Sequence, residues 1–187
     1  MMLRRKSRRR AAPHPLPAPP PPHSSLELGW RIHQAQEAWT AKVDVKASIV
    51  LALSGAVLVA IVSGHATDSY LSTLTGWREI ALRCAIALVL LGILFAGLVV
   101  RPALGPAGEH HANHRDHIIY FGHLRHWNPQ LLSARLRTLT PDEQSNQVAL
   151  QLVAMSKRNW WKHRLLQWSL YATALSAVLI TIATVWP

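Results

Sequence analysis

The stretch AKVDVKASIVLALSGAVLVAIVSG, residues 41–64, decides the fold, because its last 18 residues carry no charge. A helix that crosses a bilayer needs about 20 apolar residues at about 1.5 Å each. Residues 80–100 form a second such stretch, with Arg83 near its start, and residues 168–186 form an uncharged third that Trp residues bracket. Core helices of a soluble protein are the alternative, but they do not explain this clustering. The sequence predicts an all-α integral membrane protein with three transmembrane helices, at 47–64, 80–100 and 168–186.

The basic residues are distributed unevenly around the predicted spans. Of 20 Lys and Arg, nine precede residue 47, nine lie in residues 101–167, and Arg78 and Arg83 are the remaining two. Loops rich in Lys and Arg stay on the cytoplasmic side of a membrane. We therefore expect the N-terminus and residues 101–167 in the cytoplasm, and residues 65–79 and the C-terminus outside. Topology explains the basic excess, so no nucleic-acid partner is expected, although a strongly basic chain is also typical of one.

Before the first span, the sequence predicts a disordered tail and then a cytoplasmic amphipathic helix. Residues 1–25 are basic and rich in Pro, and they have too few large apolar side chains to form a core. Residues 26–46 have helical periodicity, with Ser25 as a candidate cap. Nothing between Arg31 and Val62 breaks the helix, so the span is expected to continue it as one rod of about 60 Å. Its apolar stripe consists of Leu28, Ile32, Ala35, Trp39 and Val43.

The region 101–167 is also predicted to be helical. Asn128 is a candidate cap with Pro129 at the first helical position, and Thr140, Pro141 and Glu143 form a capping box. From there to residue 185 no Gly or Pro occurs, so a second long helix is expected to enter the membrane. We expect the apolar faces to pack on that of the first helix as a cytoplasmic helical bundle. The residues of these faces are Leu132, Leu136, Leu139, Val148, Leu152 and Met155.

Candidate chemistry outside the spans is sparse. The segment HHANHRDH comprises His110, His111, His114, Asp116 and His117. On a helix, three of these His residues would share a face and could hold zinc, and a polar connector is the alternative. No nucleophile, phosphate-loop or paired-carboxylate motif occurs, and the single Cys84 can form no internal disulfide. The spans carry no buried acid or base that would mark an ion path, which argues against a transporter. We expect neither an enzyme nor a cofactor.

Three short motifs occur around the spans. D-x-K-A-S enters the first span, IIYFGHL occupies residues 118–124, and K-x-x-x-L precedes the last span. Taken singly, the charges mark where a helix leaves the bilayer, and the aromatic pair forms a wedge in which Gly122 allows close helix approach. Together, over residues 26–186, the chain resembles the transmembrane effectors of Pycsar antiphage systems. The matching residues are Asp44, Lys46, Ala47, Ser48, Ile119, Tyr120, Phe121, Gly122, His123, Gln151, Ser156, Lys162 and Leu166.

The resemblance implies a protein of the bacterial inner membrane that acts with a partner enzyme. In such systems a cyclase encoded next door makes cyclic CMP or cyclic UMP upon infection, and the effector senses the nucleotide and damages the membrane in an abortive infection. Because this ligand has one phosphate and one flat base, its site needs a Lys or Arg donor and an aromatic or polar edge. The candidates are Lys46, Tyr120, Phe121, His123, Lys157 and Arg158.

Ligand binding is then expected to rearrange or oligomerise the bundle, and the spans transmit the change. The alternative is a membrane scaffold whose helical bundle binds a protein partner and no nucleotide.

Overall fold

A computed structural model describes residues 22–66, 70–102, 104 and 107–185. Within these ranges the secondary structure is helical, without a strand. The helices are α1 (Pro22–Ala66), α2 (Trp77–Val100), α3 (Ala107–Ala112), α4 (Phe121–Leu124), α5 (Pro129–Thr138) and α6 (Pro141–Val185), with short 3-10 turns at Tyr70–Thr73 and His114–Asp116. Residues 1–21 of the predicted disordered tail lie outside the described residues. Helix α1 already begins at Pro22, so the prediction that Ser25 caps it is wrong.

Three helices are long and apolar enough to cross a membrane: α1, α2 and α6. This confirms the predicted all-α class with three spans. Helices α1 and α6 have 45 residues each, so each is about 68 Å long, roughly twice the thickness of the hydrocarbon core. Each therefore extends well beyond the membrane on one side, as the absence of Gly and Pro after Pro141 and the unbroken pattern between Arg31 and Val62 predicted.

Helices α1 and α6 lie parallel and in register. Positions that contact each other are 119 residues apart along much of their length: Gly29 with Val148, Thr40 with Asn159, and Ser54 with Thr173. On both helices the contact positions recur with a seven-residue period, which is the spacing of a coiled coil. We call this contact between α1 and α6 the seam. On α1 its buried residues are Gln36, Val43, Ala47, Ser54 and Ile61.

Helix α2 packs antiparallel to α6 and completes a three-helix bundle. The Ser169 hydroxyl donates to the Gly92 carbonyl at 2.8 Å, and Arg78 Nε donates to the Ala183 carbonyl at 2.9 Å. Along the bundle axis, the residue numbers of α6 therefore increase in the direction in which those of α2 decrease. Because α2 ends at Val100, α1 and α6 continue beyond this level without a third long helix. This difference in length creates the space in which the candidate site lies.

The predicted caps of α5 and α6 are confirmed. Asn128 Oδ1 accepts hydrogen bonds from the N–H groups of Gln130 and Leu131. The Thr140 N–H donates to Glu143 Oε2 at 2.9 Å, and the Glu143 N–H donates to Thr140 Oγ1 at 3.3 Å. This reciprocal capping box satisfies two backbone donors at the helix start. It fixes the turn from α5 into the long helix.

The apolar stripe predicted for α1 does not face the bundle. Leu28 is 57% exposed and Trp39 is 56% exposed, whereas Val43, at the end of the stripe, is 1% exposed. The stripe lies beside the seam, because the contact positions of α1 in this region are smaller or more polar residues such as Gly29 and Gln36. The prediction that this stripe packs into the bundle is therefore wrong. On α6, Val148 is buried in the seam as predicted.

Candidate functional site

A cleft of about 710 Å³ opens at the level where α2 ends. Its two long walls are α1, from His33 to Asp44, and α6, from Gln151 to Leu165. The last turn of α2 and the residues that follow it close one end, and Ile119–Phe121 cover the side. The cleft thus occupies the place that a longer α2 would fill. Its volume falls within the range of roughly 300–1,000 Å³ that small-molecule sites have.

An ion pair joins the two long walls of the cleft. Lys162 Nζ lies 2.6 Å from Asp44 Oδ1, and the two side chains are 18% and 35% exposed. Asp44 comes from the D-x-K-A-S motif and Lys162 from K-x-x-x-L, so the fold brings these two motifs together. Ala47 of the first motif is fully buried beside Val99 and Leu166. The motifs therefore combine core residues with charges that face the cleft.

The aromatic motif lines the cleft next to an arginine. The Arg158 guanidinium lies over the Tyr120 ring, 4.7 Å from its centroid, and the Tyr120 and Phe121 rings are 4.5 Å apart. A Cβ atom on Gly122 would collide with ring carbon Cε1 of Tyr120. Gly122 therefore makes room for this ring, and the prediction that it allows close helix approach is wrong. The arrangement offers a flat aromatic face and a cationic donor in one place.

One side chain of α6 fixes the chain that leads into the aromatic motif. Gln147 Oε1 accepts the Ile118 N–H at 3.2 Å, and Gln147 Nε2 donates to the Asp116 carbonyl at 2.8 Å. These two bonds satisfy backbone groups where the 3-10 turn His114–Asp116 ends and a stretch without regular structure begins. They hold the entry to the motif against α6, on the helix that also carries Arg158.

The histidines of the connector form two groups of side chains. Helix α3 ends at Ala112, so His110, His114 and His117 do not share a helical face, and the helical zinc hypothesis is wrong. His110 and His123 are in contact, with ring nitrogens 3.3 Å apart, and His117 stacks on His123. Among the residues that the structure describes, no three metal-binding side chains converge.

The second group surrounds His126, on the other side of the connector. The rings of His111 and His114 lie 5.1 Å and 6.2 Å from that of His126. Partial burial, followed by the charge of Arg125, holds the pKa of His126 below its usual value.

The six residues predicted to bind the ligand fall in three places. Tyr120, Phe121 and Arg158 line the cleft. His123 does not line the cleft but a smaller neighbouring cavity of about 70 Å³, which Tyr120 and Arg158 also line. Lys46 and Lys157 are exposed and line neither cavity.

Sequence reasoning did not select five polar residues that line the cleft: His33, Glu37, Thr40, Arg101 and Asn159. Three of them lie on α1, and Asn159 lies in the α6 seam. The seven-residue spacing of small and polar residues on α1 and α6 is the signal that could have found Thr40 and Asn159. Arg101 follows directly after an apolar span, as charges that mark a membrane boundary do.

A family model for the Pycsar effector protein domain matches residues 28–187. No match was found among curated proteins or among solved structures. The matched range contains α2, α6 and the part of α1 from residue 28 onward, and every residue that lines the cleft. This family comprises membrane effectors rather than enzymes. The chain therefore belongs to the Pycsar effector family, whose members are effectors of antiphage defence.

Proposed function

We propose that the protein senses a cyclic pyrimidine nucleotide, cyclic UMP or cyclic CMP, and in response disrupts the bacterial inner membrane. A neighbouring cyclase supplies the nucleotide during infection, and the cell dies before phage matures. The observation that carries this proposal is the cleft, in which the Arg158–Tyr120 stack lies beside the Asp44–Lys162 ion pair.

The chemistry of the cleft suits a cyclic mononucleotide. The ligand's single phosphate needs a cationic hydrogen-bond donor, and Arg158 and Lys162 both line the cleft. A pyrimidine ring stacks on aromatic side chains, and Phe121 presents an exposed ring beside Tyr120. These four side chains come from two segments, so a bound ligand bridges them.

The ion pair connects this site to the spans. A phosphate that draws Lys162 away leaves Asp44 without its partner at the α1–α6 seam. The arrangement of α1 against α6 then changes, because a ligand shifts the population toward the state that it binds more tightly. In this proposal the cleft and the N-terminus face the cytoplasm and the C-terminus lies outside. The rearranged chains assemble as homo-oligomers that breach the membrane.

Membrane potential tests the proposal directly. Bacteria that express the chain and an inducible pyrimidine cyclase are loaded with a voltage-sensitive dye, and the cyclase is then induced. We expect rapid depolarisation in the wild type and a loss of at least about tenfold in nucleotide sensitivity for Arg158→Gln, which removes a charge-assisted bond. Arg164→Gln is the matched control, because Arg164 is exposed on the same helix and does not line the cleft. A steady potential, with the protein in the membrane, contradicts the proposal.

One observation favours a second candidate, a non-enzymatic membrane scaffold. Leu28, Ile32 and Trp39 form an exposed apolar stripe on the part of α1 that precedes the predicted span. Exposed apolar patches of this kind are typical of protein-binding surfaces. A scaffold requires this stripe and not the cleft. If cells that express Trp39→Ser still depolarise, the result argues for the effector. If wild-type cells never depolarise and the chain binds a protein partner that Trp39→Ser no longer binds, the result argues for the scaffold.

A further inference from the structure

The cleft adjoins an exposed apolar face of α2. Leu91, Leu94 and Leu98 are spaced by three and four residues along one face of α2, and all three are exposed large hydrophobic residues. Leu98 also lines the cleft, opposite Leu165 of α6. An apolar path therefore leads from this exposed face of α2 into the end of the cleft.

The part of the cleft beyond the end of α2 is cationic. Arg101 follows α2 directly and lines the cleft together with Arg158 and Lys162. Lys162 is paired with Asp44, and Glu37 lies 3.7 Å from His33. In the part of the chain that the structure describes, neither Arg101 nor Arg158 forms an ion pair with a carboxylate. The cleft thus has an apolar end toward the span and an excess of positive charge beyond it.

We propose that, without nucleotide, this cleft holds one glycerophospholipid molecule of the surrounding membrane. Its phosphate lies toward Arg101 and Arg158, and an acyl chain follows Leu98 and Leu165. Basic pockets between transmembrane helices, at the level of the cytoplasmic headgroups, are typical binding sites for phospholipid headgroups. The order of apolar and cationic side chains along the cleft matches the order of tail and phosphate in the cytoplasmic leaflet.

The cleft would recognise the same group, the phosphate, in the lipid and in the nucleotide. The phosphate of a glycerophospholipid and that of a cyclic mononucleotide are both diesters with a single negative charge. The nucleotide therefore competes with the lipid for Arg158, and displacement of the lipid is part of the signal. This competition rests on the proposed function, whereas the lipid site itself does not.

Lipid retention tests the site. The full chain is purified from bacterial membranes in a mild detergent, and bound phospholipid is counted by native mass spectrometry. We expect about one retained phospholipid per wild-type chain and about tenfold lower occupancy in the double variant R101Q/R158Q, since two charged contacts are removed. The double variant K42Q/R164Q is the control, because it removes the same charge from exposed positions outside the cleft. Circular dichroism shows whether each variant keeps its helices.

A second variant tests the apolar end of the cleft. Leu98→Trp fills space at an exposed position, and we expect it to lower lipid retention while both arginines remain. Equal retention in wild type, R101Q/R158Q and Leu98→Trp overturns the lipid site, as does a wild-type chain that retains no phospholipid.

Titration of the lipid-loaded chain with cyclic UMP and cyclic CMP, followed by calorimetry and by released lipid, tests the competition. Nucleotide binding with lipid release supports the shared site, and binding without release overturns it. An absence of nucleotide binding in a chain that retains lipid contradicts the proposed function and leaves the lipid site standing.

Discussion

Asp44 of α1 and Lys162 of α6 form an ion pair of 2.6 Å between two parallel helices, 118 residues apart in sequence. The pair lies between the buried seam and the cleft. Its side chains are too buried for full solvation and too exposed to be fixed in the core. A pair with this degree of exposure stabilises the folded chain, and the proposed function requires that Lys162 leave it when an anion binds.

Removal of one member of this pair is expected to destabilise the bundle. Asp44→Asn leaves the Lys162 ammonium partly buried without its carboxylate, and we expect a loss of about 1–2 kcal/mol, between the values for exposed and buried pairs. Thermal unfolding in detergent, followed by circular dichroism, measures the change. Lys42→Gln, at an exposed position of the same helix, is expected to leave the melting temperature unchanged.

The charge-swapped pair shows whether the effect belongs to the interaction. D44K/K162D restores opposite charges across the seam, and we expect its melting temperature to exceed those of both single charge reversals. A double variant no more stable than the less stable single variant contradicts the role assigned to the pair.

The elements of this fold that depend on local chemistry were predictable from sequence. The spans follow from the length of the apolar stretches without charged residues. The starts of α5 and α6 follow from Asn128–Pro129 and the Thr140–Glu143 box. Each of these signals is complete within a few residues. No tertiary contact is needed to interpret them.

The seam and the cleft were harder to predict from the sequence, because they depend on pairs of residues that are distant in the chain. The apolar residues of α1 indicated the stripe of Leu28 and Trp39, but the contact with α6 uses the adjacent Gly29, Gln36 and Thr40. Close approach of two helix backbones favours small residues over large apolar ones. The cleft arises where α2 ends, and no local pattern at the end of a span reveals what the neighbouring helices do beyond it.

Gly122→Ala is expected to disturb the aromatic wall of the cleft. The added methyl group collides with the Tyr120 ring, so the ring moves and the Arg158 stack is lost. We expect the nucleotide-dependent depolarisation to weaken by at least about tenfold while the helices stay folded. Gly55→Ala is the control, because a Cβ there has no atom within 4 Å. It replaces a helical glycine and is expected to be neutral or slightly stabilising.

A normal response of Gly122→Ala, in a chain that is correctly folded, shows that the Tyr120 ring position does not matter for signalling. A response that is lost in Gly55→Ala as well shows instead that the assay reports general damage to the spans.

The capping box is expected to make stability depend on acidic pH. The hydrogen bond from the Thr140 backbone, followed by that from Arg135, holds the pKa of Glu143 below its usual value. At acidic pH the unfolded chain therefore binds more protons than the folded chain. The contribution of Glu143 to the stability of the folded chain is present above its usual pKa and disappears as the pH drops through the lowered pKa. We expect the melting temperature of wild type to fall more steeply with acidification than that of Glu143→Gln.

Asp142→Asn is the matched control for this pH series, since it removes a neighbouring carboxylate and keeps the capping box. Its pH profile is expected to remain close to that of the wild type. Parallel profiles for wild type and Glu143→Gln contradict the contribution assigned to the box.

The polar contacts of the seam are expected to lower the stability of the bundle and to promote its response to the nucleotide. Thr40 Oγ1 and Asn159 Nδ2 both donate to the Gln36 carbonyl, at 2.8 Å and 3.2 Å. Buried polar groups at such positions cost stability relative to well-packed apolar residues. We expect T40V/N159L to raise the melting temperature by a few degrees and to reduce nucleotide-dependent depolarisation, because an apolar seam resists rearrangement.

The single variant Asn159→Leu separates these two effects. It leaves the Thr40 hydroxyl opposite an apolar side chain, so we expect it to be less stable than T40V/N159L. If depolarisation falls in proportion to seam stability across the wild type and both variants, the α1–α6 seam is the element that transmits the signal. A more stable double variant with a full response shows that α1 and α6 move as one unit, and transmission then passes through α2.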